Sequence, residues 1–509
     1  MPSRSRPMTA LGAAVVVLGL AAGARGLAQS DTPELQLQRA RTFYGNGQYL
    51  EALPIFGELA QAEAEAVRVP ATLGVLQSAL RVARFDLARS AAVSLRRERP
   101  GDPEVRAYFG DAMWASGLFA EADTAYREAF AIDVGNARAH NGLARVLSAR
   151  VRHQDALDHA LTAIRLAPQE SDFHHTVGTI YHRLGRYADA AAAYERFMRL
   201  LPKGEQDERA IWTKSTITQL RAFGDDVPNQ FIAGGDQVHV VPFRLVNEKV
   251  VVTARINGGP DLDFVVDTGA ELATLSRRTA ERQGVTPIAF TVSAGVGEVG
   301  LRGLQIGRLD TLEFGGLKVR NVPCIIKSPA LLDLPTPERE SLSPLALGLS
   351  MAVDYQRRTI TLAKRLPADP EPADETMPLW LSRLATVRGT VGDGQPRSFV
   401  VDTGGQVISI STDTARALPI DPGMRKIALK VYGASGWDRE AYLLPGVDLA
   451  FNDIRFNRLS VVVLNLRAPS ILLGYDLGGI VGHQFLSRYH VSFDLDRAEL
   501  RLRKTAPPL

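Results

Sequence analysis

The 509-residue chain is long enough for three to four domains at roughly 150 residues each, and its 45% hydrophobic content lets each domain bury a core. The 59 Lys and Arg residues nearly balance 56 Asp and Glu, and the formal net charge of +3 is too small to favour a nucleic-acid partner. A single cysteine, Cys324, excludes an intramolecular disulfide and any cysteine-rich zinc or iron–sulfur site.

Residues 1–28 have the composition of an export signal. Arg4 and Arg6 make the start basic, residues 10–24 are uncharged and mostly apolar, and Gly26-Leu27-Ala28 places small residues where a signal peptidase cuts. An uncleaved anchor is the alternative, but this run spans only about 22 Å as a helix, short of a ~30 Å hydrocarbon layer. We therefore expect cleavage after Ala28, no membrane span afterwards, and export to a bacterial periplasm or the extracellular space.

Small residues recur with a period of 34 in the first half of the chain. The alanines that mark this period are Ala88, Ala122, Ala156 and Ala190, and the prolines at repeat ends are Pro100, Pro168 and Pro202. The pattern resembles the tetratricopeptide repeat (TPR), in which small residues let two helices approach and proline ends the second helix. We predict an all-α TPR solenoid over residues 33–223, with five repeats to about residue 204 and a cap helix over residues 209–223.

This resemblance implies that the array holds a peptide or a partner protein on its concave face. A spacer that holds the next domain away from a surface is the alternative. Six of the nine histidines lie in the array, but no His-Glu-x-x-His spacing accompanies them, so we expect no metal site there. The six are His140, His153, His159, His174, His175 and His182.

The second half is β-rich and duplicated. After residue 225 the pattern changes to short alternating runs, and Asn257-Gly258-Gly259 predicts a tight hairpin turn. The hexapeptide Phe-Val-Val-Asp-Thr-Gly occurs at residues 264–269 and again at residues 399–404, 135 residues later. A proline-rich acidic stretch over residues 366–375 predicts a linker between two lobes, residues 236–365 and 376–504.

Each copy carries a second, downstream signal. Ala346-Leu347-Gly348 in the first copy corresponds to Ile480-Val481-Gly482 in the second, 134 residues apart. An apolar strand ending in Asp-Thr-Gly and followed by two apolar residues and a glycine resembles one lobe of the aspartic proteases, the pepsin and retropepsin superfamily. The resemblance covers about residues 236–504 and implies an all-β bilobal retropepsin-like domain pair within one chain. A homodimer in which equivalent lobes of two chains pair is the alternative.

The resemblance implies that Asp267 and Asp402 form a catalytic dyad. Two carboxylates about 3 Å apart would repel by roughly 5 kcal/mol if both were ionised, so the pair shares one proton. One partner then serves as general base toward a water molecule and the other donates to the substrate carbonyl. Thr268, Gly269, Thr403 and Gly404 support the dyad in the family, and no metal or other cofactor is needed.

Two glycine-rich segments lie where the family carries flaps that close over substrate. They are residues 293–303, with Gly295 and Gly297, and residues 431–437, with Tyr432 and Gly433. Tyr432 could contact a peptide, although an aromatic residue in a β-rich lobe is more often part of the core. The first segment also fits a Gly-x-Gly-x-x-Gly dinucleotide pattern, which we reject because no helix is predicted to follow it.

Two departures from the family pattern keep an inactive fold open. Gly405 occupies a position where the family usually has Ser, Thr or Ala, and the first lobe is short between Gly348 and Asp354, so its supporting short helix is expected to be missing. The function that the sequence favours is an exported aspartic endopeptidase whose TPR array recruits substrate or a partner protein. The alternative is a non-catalytic TPR scaffold with inactive lobes.

Overall fold

The computed structural model describes residues 32–202, 207–224, 226–297, 300–331, 339–369, 371–419 and 426–505. The predicted export signal lies outside these residues. Within them, no helix is both long and apolar enough to cross a membrane.

The first half of the described chain is helical, and successive helices pack against each other in pairs. The alanines of the 34-residue period are completely buried, and Gly142 shows why small residues are needed, because a Cβ there would lie 2.2 Å from the ring of Tyr126. Asp102 caps α5 by accepting from the N–H groups of Glu104 and Val105, ahead of Pro103 at the first helical position. The helices are α1 Pro33–Gly45, α2 Tyr49–Leu59, α3 Glu65–Arg81, α4 Phe85–Glu98, α5 Pro103–Ala115, α6 Phe119–Ile132, α7 Ala137–Ala149, α8 His153–Leu166, α9 Ser171–Arg183, α10 Tyr187–Leu200 and the cap helix α11 Glu208–Phe223.

The first β lobe is one sheet with the strand order β1-β9-β6-β10-β5-β4-β8-β7, to which β3 adds beside β4. Its predicted turn is confirmed, since Asn257 and Gly258 both have positive φ, 52° and 69°, between the antiparallel strands β4 and β5. The elements are β1 Gln230–Ala233, β2 His239–Pro242, β3 Arg244–Val246, β4 Lys249–Ile256, β5 Leu262–Val266, β6 Ala273–Ser276, α12 Arg277–Arg282, β7 Pro287–Ala294, β8 Leu301–Phe314, β9 Leu317–Lys327, β10 Glu340–Leu342, a 3-10 turn Leu345–Leu347, β11 Ser350–Asp354 and β12 Thr359–Ala363.

The second lobe repeats this plan with the strand order β14-β15-β16-β23-β17-β22-β21-β18. Its elements are β13 Glu375–Pro378, β14 Trp380–Ser382, β15 Leu384–Val391, β16 Arg397–Val401, β17 Ile408–Ser411, α13 Thr412–Arg416, β18 Ile427–Ala428, β19 Val431–Gly433, β20 Gly436–Asp438, β21 Tyr442–Phe451, β22 Ile454–Leu464, α14 Arg467–Leu473, β23 Leu477–Val481, α15 His483–Leu486, β24 Tyr489–Asp494 and β25 Glu499–Lys504.

The two lobes share a further sheet, with the order β13-β25-β24-β11-β12-β2. At its centre β11 of the first lobe pairs antiparallel with β24 of the second, and Ala352 lies opposite Ser492. One continuous hydrophobic core includes Val353 and Met351 from the first lobe and Val491 and Phe493 from the second. The lobes therefore form a single folded body within one chain.

The array packs against the second lobe through turns between paired helices, above all the turn between α5 and α6. The ring of Phe119 lies 5.0 Å from Tyr475 and 5.6 Å from Trp380, in a core that both domains share. The N–H of Asp476 donates to the carbonyl of Ala115 at 2.8 Å. A TPR solenoid followed by an all-β bilobal domain pair is the fold class predicted from the sequence, and it is confirmed.

Candidate active site

Each Asp-Thr-Gly segment directly follows a strand that pairs in parallel with its neighbour, and the two segments occupy equivalent positions in the two lobes. The N–H of Asp267 donates to Leu342 O at 2.9 Å, and the N–H of Asp402 donates to Val481 O at 3.0 Å. Strands β5 and β16 pair in parallel with β10 and β23, which carry these two acceptors. The backbone of each aspartate is thus held by an equivalent hydrogen bond in its own lobe.

The structure brings the two carboxyl groups together within one chain. A Cβ added to Gly269 would lie 2.7 Å from Asp402 Cγ, and a Cβ added to Gly404 would lie 2.7 Å from Asp267 Cγ. Each carboxyl group therefore sits against the glycine of the opposite loop, a separation that no side chain at these two positions would permit. This is the physical reason for the glycine in both copies of the motif.

The carboxyl groups are hydrogen-bonded within their loops and interact with each other. The N–H of Gly269 donates to Asp267 Oδ1 at 3.0 Å, and that of Gly404 donates to Asp402 Oδ1 at 2.8 Å. Burial, the charge of Asp402 and a hydrogen bond between the two side chains raise the pKa of Asp267 to about 7. The pair can therefore retain one proton in mildly acidic solution.

The two threonines cross-brace the two Asp-Thr-Gly loops. Thr268 Oγ1 donates to Val401 O at 2.6 Å and accepts from the N–H of Thr403 at 3.0 Å. Reciprocally, Thr403 Oγ1 donates to Val266 O at 2.7 Å and accepts from the N–H of Thr268 at 3.2 Å. Both side chains are buried, so these four hydrogen bonds fix one loop against the other without competition from water.

The downstream correspondence predicted from the sequence is wrong in the first lobe. Because Leu342 and Val481 accept the equivalent hydrogen bonds, Ile480-Val481-Gly482 corresponds to Ser341-Leu342-Ser343 and not to Ala346-Leu347-Gly348. Gly348 instead ends the 3-10 turn Leu345–Leu347 with φ of 76°. The first lobe is therefore not shortened before Asp354, and this turn occupies the position of helix α15.

The second Asp-Thr-Gly loop is supported by the start of α15. The N–H groups of His483 and Gln484 donate to the carbonyls of Gly405 and Gln406, both at 2.9 Å. A Cβ at Gly405 would lie 2.8 Å from Asp402 Oδ2, so glycine gives the carboxyl group room in this lobe. The departure from the family pattern at Gly405 is thus accompanied by a close contact with the dyad itself.

The two glycine-rich segments form hairpins whose tips contact each other. Gly295 N–H donates to Ser435 Oγ at 3.0 Å, and Ser435 N–H donates to Val296 O at 3.0 Å. A Cβ at Gly297 would lie 2.3 Å from the Ser435 carbonyl carbon, and one at Gly433 would lie 2.6 Å from Val296 O. The glycines singled out in the sequence therefore allow the two tips to interlock.

Ser435 and Arg302 lie within the predicted flap segments, but the sequence did not single them out as residues that join the two flaps. Ser435 is buried between the tips, and Arg302 Nη1 donates to Ala434 O at 3.1 Å across the same contact. No local pattern marks either residue, since the partners in these contacts between the flaps lie more than a hundred residues away in the chain. Tyr432 is 40% exposed and its ring packs edge-on against Trp437 at 5.6 Å, so Tyr432 is a surface residue of the flap and not part of the core.

Side chains that could ligate a metal ion are scattered through the part of the chain that the structure describes. There, no three His, Cys, Asp or Glu side chains cluster in a way that could hold a metal ion. Cys324 is fully buried, and burial raises the pKa of its thiol to about 12, which suits a packing residue.

Both parts of the chain are similar to known protein families. The aspartyl protease family matches residues 252–351 and 387–477, one segment in each lobe, and the tetratricopeptide repeat family matches residues 109–171. A curated relative, the inactive TPR repeat-containing thioredoxin TTL3 of Arabidopsis thaliana, is 33% identical over 93 residues. The matched region is 18% of this chain and 14% of that relative.

Solved structures with similar parts include representatives of both domains. A thermophilic TPR protein from Thermus thermophilus is 17% identical, with 34% of this chain and 93% of that chain covered and a TM-score of 0.30. An aspartic proteinase from Irpex lacteus is 14% identical, with 53% of this chain and 98% of that chain covered and a TM-score of 0.34. Both β lobes are thus similar to the aspartyl protease family, and the helical array that precedes them is similar to the tetratricopeptide repeat family.

Proposed function

We propose that the protein is an aspartic endopeptidase, a hydrolase that cleaves peptide bonds with a water molecule activated by Asp267 and Asp402. The observation that carries this proposal is that each carboxyl group lies against the glycine of the other loop. The carboxyl carbon is 2.7 Å from where a Cβ of that glycine would be, in both lobes. A scaffold needs neither carboxyl group, whereas general acid–base hydrolysis needs both.

The geometry suits a mechanism with one shared proton. The raised pKa of Asp267 keeps one proton on the pair, so one carboxylate can accept a proton from water while the other carboxyl donates to the substrate carbonyl oxygen. The proton accepted from water can then be given to the departing amine. The Thr268–Thr403 brace holds both groups in place during these transfers.

Dyad variants test this function. The mature chain, from Gln29, is incubated with an unfolded protein across about pH 3 to 7 beside Asp267→Asn and Asp402→Asn. Asp263→Asn is the matched control, because Asp263 lies on the same strand as the first motif but is exposed and paired with Arg244. Cleavage by the parent and the control that is lost in both dyad variants supports the proposal, and cleavage that does not depend on the dyad contradicts it. The absence of cleavage at every pH would favour the non-catalytic scaffold.

We propose that the protein is exported and that the array recruits the protein to be cut or a partner. Export rests on the composition of residues 1–28, and a mature N-terminus other than Gln29 by mass spectrometry of the cell-surface or periplasmic fraction would contradict the predicted cut. Recruitment rests on the TPR family match. An ion pair between Arg81 of α3 and Asp172 of α9, at 3.2 Å, joins helices of repeats that are not neighbours in the chain.

A further inference from the structure

We propose that the cap helix of the TPR array positions the first-lobe active-site loop, with Trp212 and Arg383 as positioning residues for the dyad. This inference rests on the proposed protease function, because it concerns the geometry of the same site. It assigns the array a part in the chemistry that neither a recruiting domain nor a spacer would have.

The two Asp-Thr-Gly loops are supported in different ways. In the second lobe the N–H groups of His483 and Gln484 hold the loop carbonyls. In the first lobe the residue equivalent to His483 is Pro344, which has no N–H to donate. Within the described parts of the chain, no backbone N–H donates to the carbonyl of Ala270 or Glu271. The first loop therefore lacks the support that the second loop receives from its own lobe.

The first loop is held instead through the side chain of Glu271. Arg383 Nε donates to Glu271 Oε2 and Arg383 Nη2 pairs with Glu271 Oε1, both at 2.8 Å, which is a two-point contact between the planar groups. Both side chains are partly buried. Glu271 lies four residues after Asp267, so its position limits how far the loop that carries the catalytic carboxyl can move.

The position of Arg383 is fixed by its own backbone conformation and by a contact with the array. Its φ of 69° lies in the left-handed region that non-glycine residues avoid, which indicates that the surrounding contacts impose its position. Its Nη1 donates to Leu472 O of α14 at 2.7 Å, and its guanidinium carbon lies 4.6 Å from the ring centre of Trp212 on the cap helix α11. Trp212 therefore orients the group that holds Glu271.

The cap helix also contacts the flap of the same lobe. Leu220 and Phe223 of α11 form a hydrophobic cluster in which Ile288 of strand β7 packs. Strand β7 is one arm of the first flap hairpin, whose tip interlocks with the second flap. One helix of the array thus contacts both the flap and, through Arg383, the catalytic loop of the first lobe.

Steady-state kinetics with a peptide substrate test the proposal. Trp212→Ala should lower kcat about ten- to a hundredfold with little change in KM, because a small displacement of a catalytic group affects the reaction and not the binding of the rest of the peptide. Trp212→Phe, which keeps an aromatic face for Arg383, should recover most of the loss. Arg383→Lys should behave like Trp212→Ala, because an ammonium group cannot make the two-point contact with Glu271.

Arg388→Gln is the matched control. Arg388 forms an ion pair with Glu121 at 2.7 Å, so this variant also removes an array–lobe contact, but at a place that touches neither flap nor catalytic loop. Its kcat should stay within about twofold of the parent. Equal kcat values for Trp212→Ala and the parent, or equal losses in Trp212→Ala and Arg388→Gln, would overturn the proposal.

Amide hydrogen exchange separates this inference from the protease function. Exchange in the peptide that contains residues 267–271 should accelerate in Trp212→Ala and not in Arg388→Gln, whether or not the protein cleaves peptides. An inactive parent would remove the proposed function, and the exchange result would still decide whether the cap helix holds the loop. Unchanged exchange in Trp212→Ala would overturn the inference even in an active enzyme.

Discussion

Replacing Thr268 with valine removes half of the brace between the two lobes while leaving the size of the side chain nearly unchanged. Thr268 is 2% exposed, and its hydroxyl donates to Val401 O and accepts from the N–H of Thr403. Valine fills the same space but leaves one buried carbonyl and one buried N–H without a partner. At about 1 to 3 kcal/mol for each unpaired group, the free energy of unfolding should fall by roughly 2 to 6 kcal/mol.

Urea denaturation of Thr268→Val, Thr403→Val and the parent measures this cost. The two variants should lose similar amounts because their hydrogen bonds are reciprocal. Thr218→Val is the control, since the Thr218 hydroxyl donates to Lys214 O at 3.2 Å on the exposed side of α11 and its loss should change stability by less than about 0.5 kcal/mol. A cost for Thr268→Val no larger than that of the control would refute the argument that these hydrogen bonds join the lobes.

Contacts at the dyad and between the domains support three further predictions. The folded pKa of Asp267, about 7, lies above the unfolded value of 3.8, so the contribution of this group to stability is full below about pH 4 and is lost as pH rises through 7. In the parent, the free energy of unfolding measured with urea should therefore fall by up to roughly 4 kcal/mol over this pH window, and in Asp267→Asn it should change much less. An equally steep decline in the variant would contradict the assignment of the pKa to Asp267. Gly405→Ala should displace the Asp402 carboxyl, because its Cβ would lie 2.8 Å from Oδ2, and should lower kcat at least about tenfold, whereas parental kcat would show that the loop accommodates it. Phe119→Ala should cost about 3 to 5 kcal/mol in thermal or urea unfolding, because the ring is buried between the array and the second lobe, and a loss below about 1 kcal/mol would mean that this contact does not hold the domains together.

The sequence predicted those features whose cause is local. Ala122 and its equivalents mark a helix–helix contact that recurs in every repeat, and Phe-Val-Val-Asp-Thr-Gly encodes a buried strand and the tight loop that follows it. The alignment of the two lobes was wrong at Gly348 because a glycine after two apolar residues can also end a 3-10 turn, as it does here. Only the strand pairing shows that Leu342 is the equivalent of Val481.

Contacts between distant segments left no such local mark. Arg383 lies in a turn of the second lobe, yet its partners are Glu271 in the first lobe and Trp212 in the array. The local sequence does not distinguish Arg383 from any other surface arginine, because tertiary packing determines which residues it contacts. The interlocking of Ser435 with the first flap was unpredictable for the same reason.

The sheet that both lobes share keeps the two halves of the site together and lets each half be substituted independently. Because β11 and β24 belong to one chain, the halves of the site meet at an effective concentration on the order of millimolar or more, and dilution does not separate them. A site assembled from two separate chains would disappear at low concentration and would receive every substitution twice. Here each half can change alone, so the Asp-Thr-Gly loop of the second lobe can be held by α15 of its own lobe while that of the first lobe contacts Arg383 through Glu271.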